Sequence, residues 1–151
     1  NDGVELETQY IWQCGKYYFD ELKTKVSEKE NSNIKLMAFI SRMDAAYSAA
    51  DVIVSRAGAL SVSELCLIGK PVILVPSPNV SEDHQTKNAM ALVENKAAVL
   101  VEDGSTERLL EKALYLLNNE QEYASITKNA KLLGKPNATE DIVEQVFKLT
   151  N

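Results

Sequence analysis

The most informative segment of this 151-residue chain reads Asp51-Val52-Ile53-Val54-Ser55-Arg56-Ala57-Gly58-Ala59-Leu60-Ser61. Its first part is short, apolar and β-branched, which is typical of a buried strand. Three small residues follow, and a helical pattern then opens at Leu60 or Ser61 and runs to Ile68. The segment predicts a strand, a tight turn and a helix, which together form the repeating unit of α/β proteins.

The same alternation extends over the rest of the chain. Strands are predicted at Gln9 to Cys14, Ile34 to Phe39, Asp51 to Ser55, Pro71 to Val75 and Val99 to Val101. Helices are predicted at Tyr17 to Lys29, Met43 to Ala50, Ser61 to Ile68, Asp83 to Asn95, Glu107 to Leu117, Glu120 to Leu132 and Thr139 to Leu149. Short apolar strands separated by helices indicate a parallel sheet that is covered on both faces. We therefore predict an α/β fold with a parallel sheet flanked by helices, in a single domain over residues 1–151, with a last helix at 139–149.

Composition excludes several classes of protein. The formal net charge is -6 and no stripe of Lys and Arg is visible, which argues against a nucleic acid partner. The longest apolar runs are far shorter than the roughly 20 residues that span a bilayer. Cys14 and Cys66 lack the spacing of a disulfide framework and favour a reducing cytoplasm. Together with His84 they show no paired ligand spacing, so no metal site is predicted.

The start of the helix after Gly58 is the first candidate site. In parallel α/β sheets, ligands bind beyond the carboxyl ends of the strands, and the first N–H groups of a helix attract anions such as a diphosphate. Glu64, one turn further on, could accept hydrogen bonds from both hydroxyls of a ribose. The segment Ser61-Val62-Ser63-Glu64 also matches a capping box, in which Ser61 and Glu64 only satisfy N–H groups of the helix. The spacing alone leaves both interpretations open.

A second candidate site lies in the segment that follows the strand ending at Val75. A loop broken by prolines leads into a helix that Asp83 is predicted to cap. Gln85 and Asn88 are three residues apart and so share one side of the first turn, where their amides match sugar hydroxyls and an acetamide. The alternative is that they are ordinary surface residues. His84, the only histidine, has no carboxylate partner that the sequence identifies.

Several segments, taken together, resemble the MurG family of peptidoglycan N-acetylglucosaminyltransferases. They are Phe39-Ile40, the run from Ala50 to Leu65, Gly69-Lys70-Pro71 and the run from Asp83 to Ala89. The resemblance covers most of the chain in the right order and spacing. It implies the C-terminal domain of a GT-B glycosyltransferase, in which two Rossmann-like domains face each other across a cleft and this one holds UDP-N-acetylglucosamine.

The resemblance also implies a set of substrate-binding residues. The backbone of Ile40 would hold the uracil edge, the start of the helix would line the diphosphate, and Glu64 would bind the ribose diol. Gln85 and Asn88 would hold sugar hydroxyls, whereas His84 matches a position at which the family is variable. The implied substrate-binding residues are Ile40, Ala59, Leu60, Ser61, Val62, Ser63, Glu64, Gln85 and Asn88.

By the same resemblance, the reaction is an inverting transfer that needs no metal or other cofactor. The acceptor would be the lipid-linked muramyl-pentapeptide on the inner, cytoplasmic face of the bacterial cell membrane, to which the protein would bind peripherally. The N-terminal domain, with the general base, and a Gly-Gly-Ser loop are expected outside these residues. No catalytic residue is therefore expected in this chain, which alone should be inactive. The helix at 139–149 is expected to pack on that N-terminal domain.

Three other functions remain possible at the level of sequence. The chain could be a single-domain donor subunit of a dolichol-linked N-acetylglucosaminyltransferase, which shares the fold and the donor. It could be a UDP-sugar epimerase of GT-B shape, although the required catalytic acids cannot be placed. It could also be a flavodoxin-like binding module without enzymatic activity.

Overall fold

The computed structural model describes residues 8–28, 33–78 and 83–150. The chain divides into two compact units, Asn1–Ala50 and Asp51–Asn151, and each is described by itself. The expectation of a single domain stays a prediction.

The first unit is a strand-helix-strand-helix segment. Its elements are β1 (Tyr10–Gln13), α1 (Lys16–Ser27), β2 (Ile34–Met37) and α2 (Met43–Ala49). The two strands pair in parallel, with Tyr10 opposite Ile34 and Gln13 opposite Met37. Gly15 joins β1 to α1 at a φ of 81°, which a residue with a Cβ rarely adopts. The carboxyl ends of both strands therefore lie at one edge of a small parallel sheet.

The second unit contains three strands and five of the helices that the structure describes. Its elements are β3 (Ile53–Ser55), α3 (Ala59–Ile68), β4 (Val72–Leu74), α4 (His84–Glu94), β5 (Val99–Leu100), α5 (Thr106–Asn118), α6 (Glu120–Leu133) and α7 (Ala138–Thr150). The strands form a parallel sheet in the order β3-β4-β5. The loops that follow β3, β4 and β5 therefore start from a common edge, which we call the carboxyl edge.

The hydrophobic core of the second unit is built around its central strand. All three residues of β4 are buried, as expected for a strand with neighbours on both sides and helices on its faces. Ile73 packs in a cluster with Val101, Leu116 and Ile126, which come from the end of β5, from α5 and from α6. α5 and α6 thus pack against the sheet that carries the loops of the carboxyl edge.

The predicted α/β fold with parallel strands is confirmed. Each predicted strand and helix is present, and most ends agree within two residues, although Lys29 lies outside the described residues. The strands form two parallel sheets in place of the single predicted one. None of the helices in the described part of the chain is long and apolar enough to cross a membrane.

Replacement of Gly69 by alanine is expected to lower the free energy of unfolding by about 1–2 kcal/mol. Gly69 ends α3 in the left-handed conformation, at a φ of 59°, and its N–H donates to the carbonyl of Leu65. An added Cβ would clash with Cγ of Lys131, so this side chain would have to move as well. Urea denaturation of both proteins measures the difference.

Gly104→Ala is the matched control for this substitution. Gly104 also has a positive φ, of 83°, but a Cβ there meets no atom within 4 Å. Alanine at position 104 would therefore introduce backbone strain without displacing a neighbouring side chain. Gly69→Ala should cost more than Gly104→Ala, and a smaller cost would contradict the assigned contact with Lys131.

Candidate functional site

The first candidate site is the turn from β3 into α3. Gly58 occupies the N-cap position with extended backbone angles, φ -64° and ψ 148°, and the helix begins at Ala59. The carbonyl of Gly58 accepts the first helical hydrogen bond, from the N–H of Val62 at 2.9 Å. The N–H groups of Ala59, Leu60 and Ser61 consequently have no partner within the helix, and no side chain of the described residues caps them.

The capping-box interpretation of Ser61 and Glu64 is wrong. In a capping box the serine would occupy the N-cap, but the helix begins two residues earlier, so Ser61 is its third residue and Glu64 lies in its second turn. The predicted start at Leu60 or Ser61 was late because a glycine and two alanines give a weak signal for a helix start. Glu64 therefore has no capping role at the start of this helix.

The residues predicted around this turn lie mainly on its exposed side. Ala59, Leu60, Ser63 and Glu64 are exposed, while Ser61 and Val62 are half-buried. The hydroxyl of Ser63 donates to the carbonyl of Ala59 at 3.0 Å, which places it against the helix backbone. Leu60 is 83% exposed. The structure thus brings the predicted residues of α3 to one accessible helix start.

Gln85 and Asn88 make specific contacts with the loops of the carboxyl edge. Oε1 of Gln85 accepts from the N–H of Ser77 at 2.9 Å, and Nδ2 of Asn88 donates to the carbonyl of Ala57 at 3.0 Å. Both side chains are part-buried, so they are not simply solvated surface residues. Since an amide has both donors and an acceptor, Nε2 of Gln85 and Oδ1 of Asn88 still have the capacity to bind a ligand.

The predicted cap of α4 is not formed. Asp83 does precede the first helical residue, His84, but its φ is 55° and its side chain makes no capping hydrogen bond. A side-chain cap requires extended backbone angles, which direct the carboxylate toward the free N–H groups, and a left-handed φ does not provide them. His84 is exposed at the first position of the helix.

Arg56 lies in the turn that the sequence analysis identified, but no role was predicted for its side chain, and Asp103 was not predicted as part of the site. Nη1 of Arg56 lies 2.7 Å from Oδ1 of Asp103, and it also donates to the carbonyls of Val75 at 3.2 Å and Pro76 at 3.4 Å. Asp103 belongs to none of the segments that carry the family resemblance. A signal was nevertheless present, because Asp103 follows β5 and Arg56 follows β3, and parallel strands bring such positions to one edge.

Ile40 belongs to the first unit, where it follows β2. Its N–H donates to Oε1 of Gln13 at 2.7 Å, and Gln13 is the last residue of β1. Any ligand that takes the Ile40 N–H must therefore displace the side chain of Gln13.

Other reactive groups do not converge on these positions. Cys66 is buried in α3, and this burial raises the pKa of its thiol, which disfavours the reactive thiolate. In the part of the chain that the structure describes, no group of three His, Cys, Asp or Glu residues is arranged to hold a metal ion. The expectation that the site uses no metal stays a prediction.

The fold and the site together define a class of protein. It is a Rossmann-like α/β protein with an accessible, uncapped helix start at the carboxyl edge of a parallel sheet, the position at which such proteins bind anionic ligands. The sequence profile of the glycosyltransferase family 28 C-terminal domain matches residues 2–146, and the chain belongs to that family.

Curated relatives support the same assignment. The chain is 53% identical over 144 residues to the UDP-N-acetylglucosamine--N-acetylmuramyl-(pentapeptide) pyrophosphoryl-undecaprenol N-acetylglucosamine transferase of Cytophaga hutchinsonii, covering 95% of this chain and 38% of the relative. It is 49% identical over 147 residues to the enzyme of that name from Flavobacterium psychrophilum, covering 97% of this chain and 39% of the relative. The chain thus spans about two fifths of the length of these relatives.

Two solved structures have the same fold. The crystal structure of MurG from Acinetobacter baumannii superposes with a TM-score of 0.78 at 33% identity, over 91% of this chain and 40% of that one. The glycotransferase of kitacinnamycin superposes with a TM-score of 0.62 at 18% identity, over 91% of this chain and 34% of that one. The second likeness concerns the fold alone.

Proposed function

We propose that this chain supplies the donor-binding half of an N-acetylglucosaminyltransferase of peptidoglycan synthesis, and that its ligand is UDP-N-acetylglucosamine. The observation that carries the proposal is the accessible start of α3, where three N–H groups lack helical partners directly after β3. These groups and the helix dipole favour an anion there, as the diphosphate of the donor requires. The relatives, whose names specify this transfer, support the choice of donor.

Gly58 supports a close approach of the ligand to this turn. Its φ of -64° suits any residue, and an added Cβ would meet only Oγ of Ser61, at an ordinary 3.6 Å. Neither backbone conformation nor packing of the described residues therefore requires a glycine. A diphosphate bound against the N–H groups of Ala59, Leu60 and Ser61 would require the space that a side chain at position 58 takes away.

The sugar and the nucleoside would bind on either side of the diphosphate. Nε2 of Gln85 and Oδ1 of Asn88 suit the hydroxyls of N-acetylglucosamine, while their other amide atoms remain bound to the loops. Glu64 would accept hydrogen bonds from the ribose diol. The backbone of Ile40 would bind the uracil edge, with the O4 oxygen of the base replacing Oε1 of Gln13 on the N–H.

The transfer would proceed with inversion and without a metal ion. As the bond to the sugar breaks, negative charge develops on UDP, and the N–H groups at the start of α3 would stabilise it. The hydroxyl of the lipid-linked muramyl-pentapeptide would attack the anomeric carbon on the inner face of the cell membrane. The general base and the acceptor site would lie in a part of the protein that corresponds to the region of the relatives outside the match. This chain alone would therefore not catalyse transfer.

The apolar face of α7 fits such an arrangement. Four large side chains that recur at helical spacing are between 47% and 64% exposed on this helix: Ile142, Val143, Val146 and Phe147. An exposed apolar stripe of this kind normally packs against another structure. We propose that the remaining part of the protein covers it.

The proposed function is tested with the complete protein, UDP-N-acetylglucosamine and the lipid-linked acceptor in the presence of EDTA. We expect transfer to continue without divalent cations and the product to carry a β-linked sugar, since the donor is the α-anomer. NMR of the product gives the configuration. Transfer that EDTA abolishes and Mg²⁺ restores would contradict the metal-free mechanism, and a complete protein that binds neither the donor nor UDP would contradict the proposed function itself.

A further inference from the structure

One arginine connects the three loops of the carboxyl edge. Arg56 follows β3, Val75 and Pro76 follow β4, and Asp103 lies three residues after β5. Nη1 of Arg56 binds Oδ1 of Asp103 at 2.7 Å and the carbonyls of Val75 and Pro76 at 3.2 and 3.4 Å. A single guanidinium nitrogen thus holds groups from loops that are up to 47 residues apart in sequence.

The connected loops are those that carry the proposed donor site. Arg56 is followed directly by the turn at Ala57 and Gly58, from which α3 begins. Pro76 is followed directly by Ser77, whose N–H binds Gln85 of α4. Asn88 of the same helix binds the carbonyl of Ala57, so α4 contacts both loops. The position of Arg56 therefore affects both the turn that leads into α3 and the first turn of α4.

The carboxylate of Asp103 provides the strongest of the three bonds. It accepts from the guanidinium at 2.7 Å and carries the opposite charge, whereas the carbonyls of Val75 and Pro76 are neutral acceptors. The bonds to Val75 and Pro76 are longer than usual for N–H···O, and they share the same nitrogen. Without Asp103, the guanidinium would be held only by these two weak bonds.

The ion pair contributes little to global stability. The side chains of Arg56 and Asp103 are 52% and 38% exposed, and pairs this exposed are screened by solvent. The main consequence of the pair is therefore the orientation of Arg56 and of the loops that it binds.

We propose that Asp103 is a positioning residue of the donor site, which acts through Arg56 and does not touch the donor. The inference rests on the proposed function, because it concerns the affinity of that same site. It predicts that loss of the carboxylate weakens donor binding without unfolding the protein.

The test compares the complete protein that carries Asp103→Asn with the complete wild-type protein. Asparagine keeps the size of the side chain and removes its charge. We expect a rise of about five- to tenfold in the Kd for UDP and in the KM for UDP-N-acetylglucosamine, with kcat within about twofold of wild type. Calorimetry and steady-state kinetics measure the two effects, and urea denaturation should show an unchanged midpoint.

A double-mutant cycle tests whether Asp103 acts through Arg56. In an Arg56→Met background, Asp103→Asn should have no further effect on the Kd, because the partner that transmits it is gone. Arg56→Lys should restore part of the affinity that Arg56→Met loses, since an ammonium can still reach a carboxylate. Fully additive effects of the two substitutions would overturn the assigned route.

Glu21→Gln is the matched control for the loss of an exposed ion pair. Glu21 binds Nζ of Lys25 at 2.6 Å within α1, and no group of the proposed site takes part. Equal Kd values for UDP in Asp103→Asn and Glu21→Gln would refute the positioning role of Asp103 and would leave the proposed function untouched. Tighter binding by Asp103→Asn would also refute it, because it would show that Asp103 restrains an arginine that could bind the diphosphate. A wild-type protein that binds no UDP would refute the proposed function and this inference with it.

Discussion

Gly58→Asp is expected to stabilise the protein and to weaken UDP binding by at least about 100-fold. The two effects have opposite signs because they have different causes. Aspartate is among the best N-cap residues, it suits the extended angles of Gly58, and its charge interacts favourably with the helix dipole, so the free energy of unfolding should rise by about 0.5–1 kcal/mol. The same carboxylate would lie where the diphosphate approaches, and the like charges would repel each other.

Gly58→Asn separates charge from size in this experiment. Asparagine caps a helix about as well as aspartate and has nearly the same shape, but it is neutral. It should therefore gain the stability that the cap provides, without the contribution of the charge to the helix dipole, and it should bind UDP much more tightly than the aspartate variant does. Calorimetric titration with UDP and urea denaturation of all three proteins provide the measurements. If both variants bind UDP like the wild type, no anion binds at this turn.

Glu64→Ala is expected to lower the affinity for UDP by about 10- to 150-fold. This range corresponds to the roughly 1.5–3 kcal/mol of a hydrogen bond to a charged group. The free energy of unfolding should change by less than about 0.5 kcal/mol, because Glu64 is an exposed residue of the second turn and does not cap the helix. Calorimetry on the complete protein measures the affinity.

The ligand 2′-deoxy-UDP provides the control for Glu64. Wild type should bind it more weakly than UDP, and Glu64→Ala should bind the two ligands with similar affinity, since the hydroxyl and its partner belong to one interaction. Glu64→Gln, which keeps the shape and can still accept a hydrogen bond, should lie between wild type and alanine. A loss of less than about 0.5 kcal/mol in Glu64→Ala would exclude the ribose bond and contradict the role that we propose for this residue.

Local patterns predicted the fold of this chain well. The strand at β3 and the helix after it follow from a β-branched run and a helical pattern that lie side by side in sequence, and the other strands repeat this arrangement. The start of α3 was predicted one or two residues late, and the S-x-x-E pattern of Ser61 to Glu64 lies inside the helix and not at its cap. Patterns of this kind specify spacing and do not specify where the backbone turns helical.

The candidate site could be predicted only in part. The positions along α3 and α4 follow from the order of the elements, and Gln85 and Asn88 were expected on one side of their helix. Their bonds to Ser77 and Ala57 were not predicted, because they join a side chain to backbone groups 8 and 31 residues away. The contact between Arg56 and Asp103 was not predicted for a similar reason, because it depends on strand order and on loop geometry.

The two glycines at the ends of α3 should respond differently to selection for folding alone. Gly69 has a left-handed φ and lies against Lys131, so a population of variants selected only for folding should retain it. Gly58 has ordinary backbone angles, and an added Cβ would make only an ordinary contact with Oγ of Ser61, so the same population should accumulate serine, asparagine and aspartate at that position. Deep mutational scanning for abundance should therefore rate position 58 as tolerant, whereas the proposed function predicts that a screen for growth through cell-wall synthesis rates it as intolerant.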